Sequence, residues 1–95
     1  MNQITDERLQ KYFTITAEAL EKVKSSPHCA EREKEALDVL DMAQRYYDDA
    51  VHFKQKGEIV NAFACLNYAH GWLDAGARLG LFKVNDSRLF TVDDA

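Results

Sequence analysis

Ninety-five residues, 46% hydrophobic and 29% charged, describe one small soluble domain with a single modest core. A formal charge of -4 leaves no basic patch to neutralise phosphates, which excludes nucleic acid as the expected partner and disfavours an anionic membrane surface. Two cysteines without CxxC spacing form neither a zinc set nor a disulfide framework, and MNQITDERLQ lacks an apolar signal core, so a reduced, cytoplasmic protein is expected.

The first predicted helix covers residues 6–24. Thr5 is its N-cap, and Asp6 and Glu7 suit the positive end of the helix dipole. Leu9, Phe13, Thr16, Leu20 and Val23 recur at spacings of three and four and form one apolar stripe. Ser25, Ser26 and Pro27 stop it. Ser26 as N-cap with Pro27 at the first helical position predicts a second helix from residue 27 to residue 56. Gly57 ends that helix after Lys54 and Lys56.

The third helix is predicted over residues 58–81, within the nearly uncharged stretch IVNAFACLNYAHGWLDAGARLGLF. This stretch is long enough to span a bilayer, but Asn61, Asn67, His70, Asp74 and Arg78 interrupt it, so it reads as a helix packed in protein. A turn of one or two residues at Gly57 folds the second and third helices into a tight antiparallel hairpin. The expected fold is therefore all-α: a three-helix bundle with the first helix laid across that hairpin. In the short C-terminal tail, residues 83–95, Leu89 and Phe90 are expected to pack on the bundle while Asp93 and Asp94 fray; a small β-hairpin around Asn85 and Asp86 is the alternative. The second and third helices each show an apolar arc of roughly 200°, more than an ordinary surface helix needs.

Glycine inside a helix costs up to about 1 kcal/mol relative to Ala. Gly76 and Gly80 share a face with Ala62 and Ala69 and suit close helix approach. Gly71 falls on the polar side, where packing gives it no reason, and it points to a contact outside the fold.

Two sets of residues carry candidate functions. Tyr46, Phe53, Tyr68 and Trp72 lie at the edges of the apolar arcs, where aromatics suit a face buried by a partner. They support the leading expectation, a non-catalytic interaction module whose partner is a second copy of the chain or another helical protein. The alternative is a small-ligand or metal-dependent enzyme using His52, Asn67, His70, Gly71, Asp74 and Arg78. Asn67, His70, Asp74 and Arg78 form one polar stripe; Asp38, Asp41, Arg45, Asp48 and His52 form another. Both stripes lie opposite their apolar centres and should point outward, so a shared metal site is not expected. No catalytic residue is assigned. Cys65 reads as a buried apolar filler, Cys29 has no base partner, and no cofactor motif is present.

The run FKQKGEIVNAFACLNYAHGWLDA resembles the hairpin of a single tetratricopeptide unit, with no second copy at that period. DVLDMAQRYYDDAVHF and GEIVNAFACLNYAHGWLDAGARLGLF more closely resemble a family of small archaeal helical proteins, domain of unknown function 357. That resemblance implies a helical, cytoplasmic archaeal protein and brings no activity or catalytic residues with it.

Overall fold

A computed structural model describes residues 3–91. It contains α1 (Asp6–Ser25), α2 (Glu33–Gln55) and α3 (Ile59–Arg78), with a short 3-10 turn at Ala30–Arg32. Thr5 caps α1 as its sequence suggests: its hydroxyl oxygen accepts the Arg8 N–H at 3.1 Å. The apolar stripe of α1, from Leu9 through Val23, is buried along its whole length.

The three helices form an up-down-up bundle. Leu9 and Phe13 pack near the hairpin turn with Ala50, Ala62 and Leu66. Leu20 and Val23 pack at the open end with Ala36, Leu73 and Ala77. Tyr47 touches both groups and joins them into one core. The most extensive contact is between α2 and α3.

That contact has a simple basis. The fully buried residues of α2 are three alanines one heptad apart, Ala36, Ala43 and Ala50. On α3, Ala62, Ala69 and Gly76 repeat the same spacing and are buried too. The pairs Ala50 and Ala62, Ala43 and Ala69, and Ala36 and Gly76 are each equidistant from Lys56, the middle of the turn. Small residues at each heptad of both helices leave little side chain between them, which suits close helix approach.

Glycine works at both helix ends that need a reversal. Gly57 has φ +77°, and the Glu58 and Gly57 N–H groups donate to the carbonyls of Phe53 and Lys54. Gly80 has φ +76° and repeats the motif, with Leu81 donating to Gly76 and Gly80 to Ala77. Gly80 is thus the residue that stops α3 at Arg78 and turns the chain back, not a packing residue within a helix reaching residue 81.

The start of α2 also differs from its sequence signal. Ser26 caps the end of α1 instead, donating its N–H to Val23 O. Pro27 O accepts the Lys83 N–H and Cys29 N–H donates to Leu81 O, an antiparallel bridge centred on His28 and Phe82. A helix starting at Pro27 needs that same carbonyl for its own first turn. Pairing with the chain after α3 takes it, and α2 begins only at Glu33.

Beyond the bridge, residues 86–90 close one turn, with the Leu89 and Phe90 N–H groups on Asp86 O. Leu89 and Phe90 are buried in the upper core, as expected of the tail. The expected fraying at Asp93 and Asp94 lies outside the described residues. Among those residues no helix is long and apolar enough to cross a membrane.

Candidate interaction face

His70 and Asp74 do not point into open solvent as their wheel position suggests. The tail lies on them. His70 Nε2–H donates to Leu89 O, and the Asp74 carboxylate accepts both the Thr91 N–H at 2.8 Å and the Thr91 hydroxyl at 3.2 Å. On the other side the Arg88 guanidinium grips Glu18, and Asp86 faces Lys22 at 3.5 Å. The tail is thereby tied to α1 and α3 at once.

The Arg88 hydrogen bond holds the Glu18 carboxyl below its ordinary value of 4.5. A lowered carboxylate contributes stability above its unfolded value and loses it as pH falls through the folded one. Acidifying from neutral to below about pH 4.5 should therefore loosen the tail before the helices. Amide exchange at Leu89 and Phe90 is the readout. Arg88→Gln should flatten that acid limb, and an unchanged limb would mean the pair does not hold the tail.

His52 stands apart, exposed on α2 with its ring 6.1 Å from Phe53. Among the described residues no three His, Cys, Asp or Glu side chains are placed to hold a metal ion. Arg78 is exposed at the end of α3. Asn67 and Gly71 lie where two shallow grooves meet. One, of about 300 Å³, runs towards Tyr12, Thr16 and the His70–Asp74 side. The other, of about 440 Å³, is lined by Asn67, Tyr68, Gly71, Trp72 and Ala75.

This second groove opens onto the outer face of α3. Val60, Ala64, Tyr68, Gly71, Ala75 and Leu79 are all exposed. At 100° per residue they fall in one band about 180° from the buried centre of the helix. Four large apolar residues are exposed among those described, and Val60 (71%), Tyr68 (62%) and Leu79 (64%) are three of them. An exposed apolar residue alone means little; three on one band, with Arg78 as its only charge, mark an interaction surface.

Of the edge aromatics, Tyr46, Tyr68 and Trp72 gather here. Tyr46 stacks on Tyr68 with ring centroids 5.1 Å apart and planes at 17°. Trp72 is half-buried, one side on the upper core and the other on the groove. Phe53 does not join them and packs in the lower core near the turn. Cys65 is half-buried rather than buried, and burial, with the Asp49 carboxylate adding to it, pushes its thiol up and away from reactivity.

Gly71 sits at the floor of the groove, and a Cβ there would meet nothing within 4 Å. The fold does not require it. Gly71→Ala should raise stability by up to about 1 kcal/mol, read as a higher thermal midpoint in dilute solution. A drop would show a monomer contact that requires glycine.

The outer band has a sequence signal that the reading of the arcs does not single out. Its residues recur at spacings of four and three, the same signal that revealed the core stripe of α1. On the wheel only Tyr68 and Leu79 of this band read as part of the apolar arc, and Gly71 reads as polar-side, because Asn61, Asn67 and Arg78 flank the small residues between them.

The architecture defines a class: an all-α bundle built on an alanine-lined hairpin, with one apolar helix face left open. The chain belongs to the family described as "Protein of unknown function (DUF357)", whose pattern it matches over residues 11–82. That match spans all of α2 and α3 and most of α1, and it ends at Phe82, before the turn that carries Leu89 and Phe90. No curated protein and no solved structure matches the chain.

Proposed function

We propose that the chain is a non-catalytic helical interaction module of the cytoplasm, docking a protein partner on the outer face of α3. The observation that carries this reading is the band from Val60 to Leu79, exposed and directly opposite the core. An apolar face of this length disfavours solvent exposure and is stabilised by a partner that covers it. Two unpaired cysteines fit a reducing compartment. The polar stripe draws no comparable support as a ligand site, since His70 and Asp74 are engaged by the tail.

The test is photo-crosslinking in cells, with a benzophenone amino acid placed at Tyr68 and, as control, at Asp41 on the acidic face of α2. Protein adducts should form from Tyr68, disappear when Gly71→Leu is added, and be absent from Asp41. Equal labelling at both positions, or none at Tyr68, would overturn the reading.

A further inference from the structure

The shallow groove beside Gly71 leaves room above the helix backbone, and Tyr68, one helical turn away, is an exposed knob. Resting on the interaction-module reading above, we infer that the partner on this face is a second copy of the chain, packed with its α3 antiparallel across a two-fold axis between Tyr68 and Gly71.

The argument begins with spacing. Asn61, Ala64, Tyr68, Gly71, Ala75 and Arg78 follow the alternating three- and four-residue steps of a helix-pairing seam, and all are exposed. The order reads the same way from both ends. A two-fold axis at its centre sets Tyr68 of each copy over Gly71 of the other. It sets Ala64 against Ala75, and the polar ends Asn61 and Arg78 against each other. Val60 and Leu79, just outside the seam, meet in the same way. Tyr68 faces a glycine, the apolar flanks face each other and the polar ends pair, so the patch is complementary to itself, as an isologous contact requires.

The shallow groove is where the partner's Tyr68 is placed by this register. It is about 440 Å³, walled by Tyr68, Trp72, Asn67 and Ala75, and its floor is the one helical glycine that internal packing leaves unexplained. α3 already packs closely against α2 on its inner face, where Ala62, Ala69 and Gly76 are buried at heptad spacing.

Charge favours the same choice. Each copy carries -4, and most other surfaces of α2 would bring Asp38, Asp41 and Asp48 towards like charges. The seam holds no carboxylate. Its length, about 30 Å at 1.5 Å per residue, with Tyr46 and Trp72 at the rim, gives a contact on the order of 1,000 Å² in total, at the lower edge of specific interfaces. A reversible dimer with a dissociation constant on the order of micromolar is expected.

The experiment is sedimentation velocity of the purified chain across a concentration series, up to about a hundred times that constant. The intact chain should pass from monomer to dimer. Gly71→Leu fills the groove without touching the fold, and it should weaken association at least tenfold while its thermal midpoint in dilute solution holds or rises. Register is read by cysteine pairs in a Cys29→Ser, Cys65→Ser background. Ala64→Cys with Ala75→Cys should give a covalent dimer on mild oxidation, and either alone should not. A single substitution that cross-links to itself would overturn the antiparallel register. A chain that stays monomeric throughout would overturn the second-copy inference. If Tyr68 then still cross-links a different protein in cells, the module reading stands without it. If it cross-links nothing, both fall.

Discussion

Gly76→Ala should destabilise the protein by about 2 kcal/mol, although alanine is the better helix former by up to about 1 kcal/mol. A Cβ at this position would come within 3.0 Å of three carbons of the Phe82 ring. The ring has little room to yield. It is 1% exposed, it lies edge-on to His28 at 5.3 Å, and its backbone is fixed by the bridge to residues 27–29. Moving it would strain the junction where the α1–α2 connection, the end of α3 and the tail all meet. For a domain of this size, about 2 kcal/mol lowers the thermal midpoint by roughly 8–16 °C.

A second substitution makes the prediction specific. Phe82→Ala alone should cost about 3–5 kcal/mol through the cavity it leaves. Because a Cβ at Gly76 would meet the Phe82 ring, the double variant Gly76→Ala with Phe82→Ala should lose less than the sum of its two single costs. The sharper contrast lies within one helix: Gly71→Ala is expected to stabilise and Gly76→Ala to destabilise. Chemical denaturation of the two variants side by side decides the matter. A stabilising Gly76→Ala would mean that the Phe82 ring does not occupy that space.

This contrast also shows how far local reading goes. Thr5, the α1 stripe and Gly57 act through neighbours within one or two turns, and they fold as their spacing suggests. Ser26 and Pro27 carry an equally good helix-start signal that fails, because Lys83 and Leu81 claim the backbone groups that the first turn would use. Gly76 is read from sequence as a small residue for helix approach. It sits on that face, but what fills its space is the side chain of Phe82, arriving from beyond the helix end.

The candidate site follows the same rule. His70 and Asp74 look like a solvated or ligand-binding stripe because their partners, Leu89 and Thr91, sit in a tail without regular structure of its own. Nothing in the periodicity of α3 announces that a tail will come back to lie there. Tyr46, Tyr68 and Trp72 gather because the α2–α3 hairpin is in tight register, so aromatics at similar distances from the turn become neighbours. Phe53 is too near the turn to reach them and is drawn into the lower core.

The hairpin register yields the other large effect, because the fully buried positions of α2 carry almost no side chain. Ala43→Leu should cost about 3 kcal/mol, the upper part of the range for overfilling a packed core. Ala43 is fully buried at the centre of the three-alanine row, with Ala69 at the same distance from the turn. Three extra carbons there have no void to enter, and they can be accommodated only by spreading two helices that pack together over most of their length. Relief should come from the opposite position alone. Ala69→Gly, which by itself costs up to about 1 kcal/mol, should restore part of the loss in the Ala43→Leu background. Ala62→Gly, two turns closer to Gly57, should simply add its own cost. Guanidinium denaturation of the four variants and the unaltered chain separates these outcomes. Rescue from Ala62 rather than Ala69 would place the helices in a different register. That would also remove the alignment that brings Tyr46 onto Tyr68 and shapes the rim of the outer face.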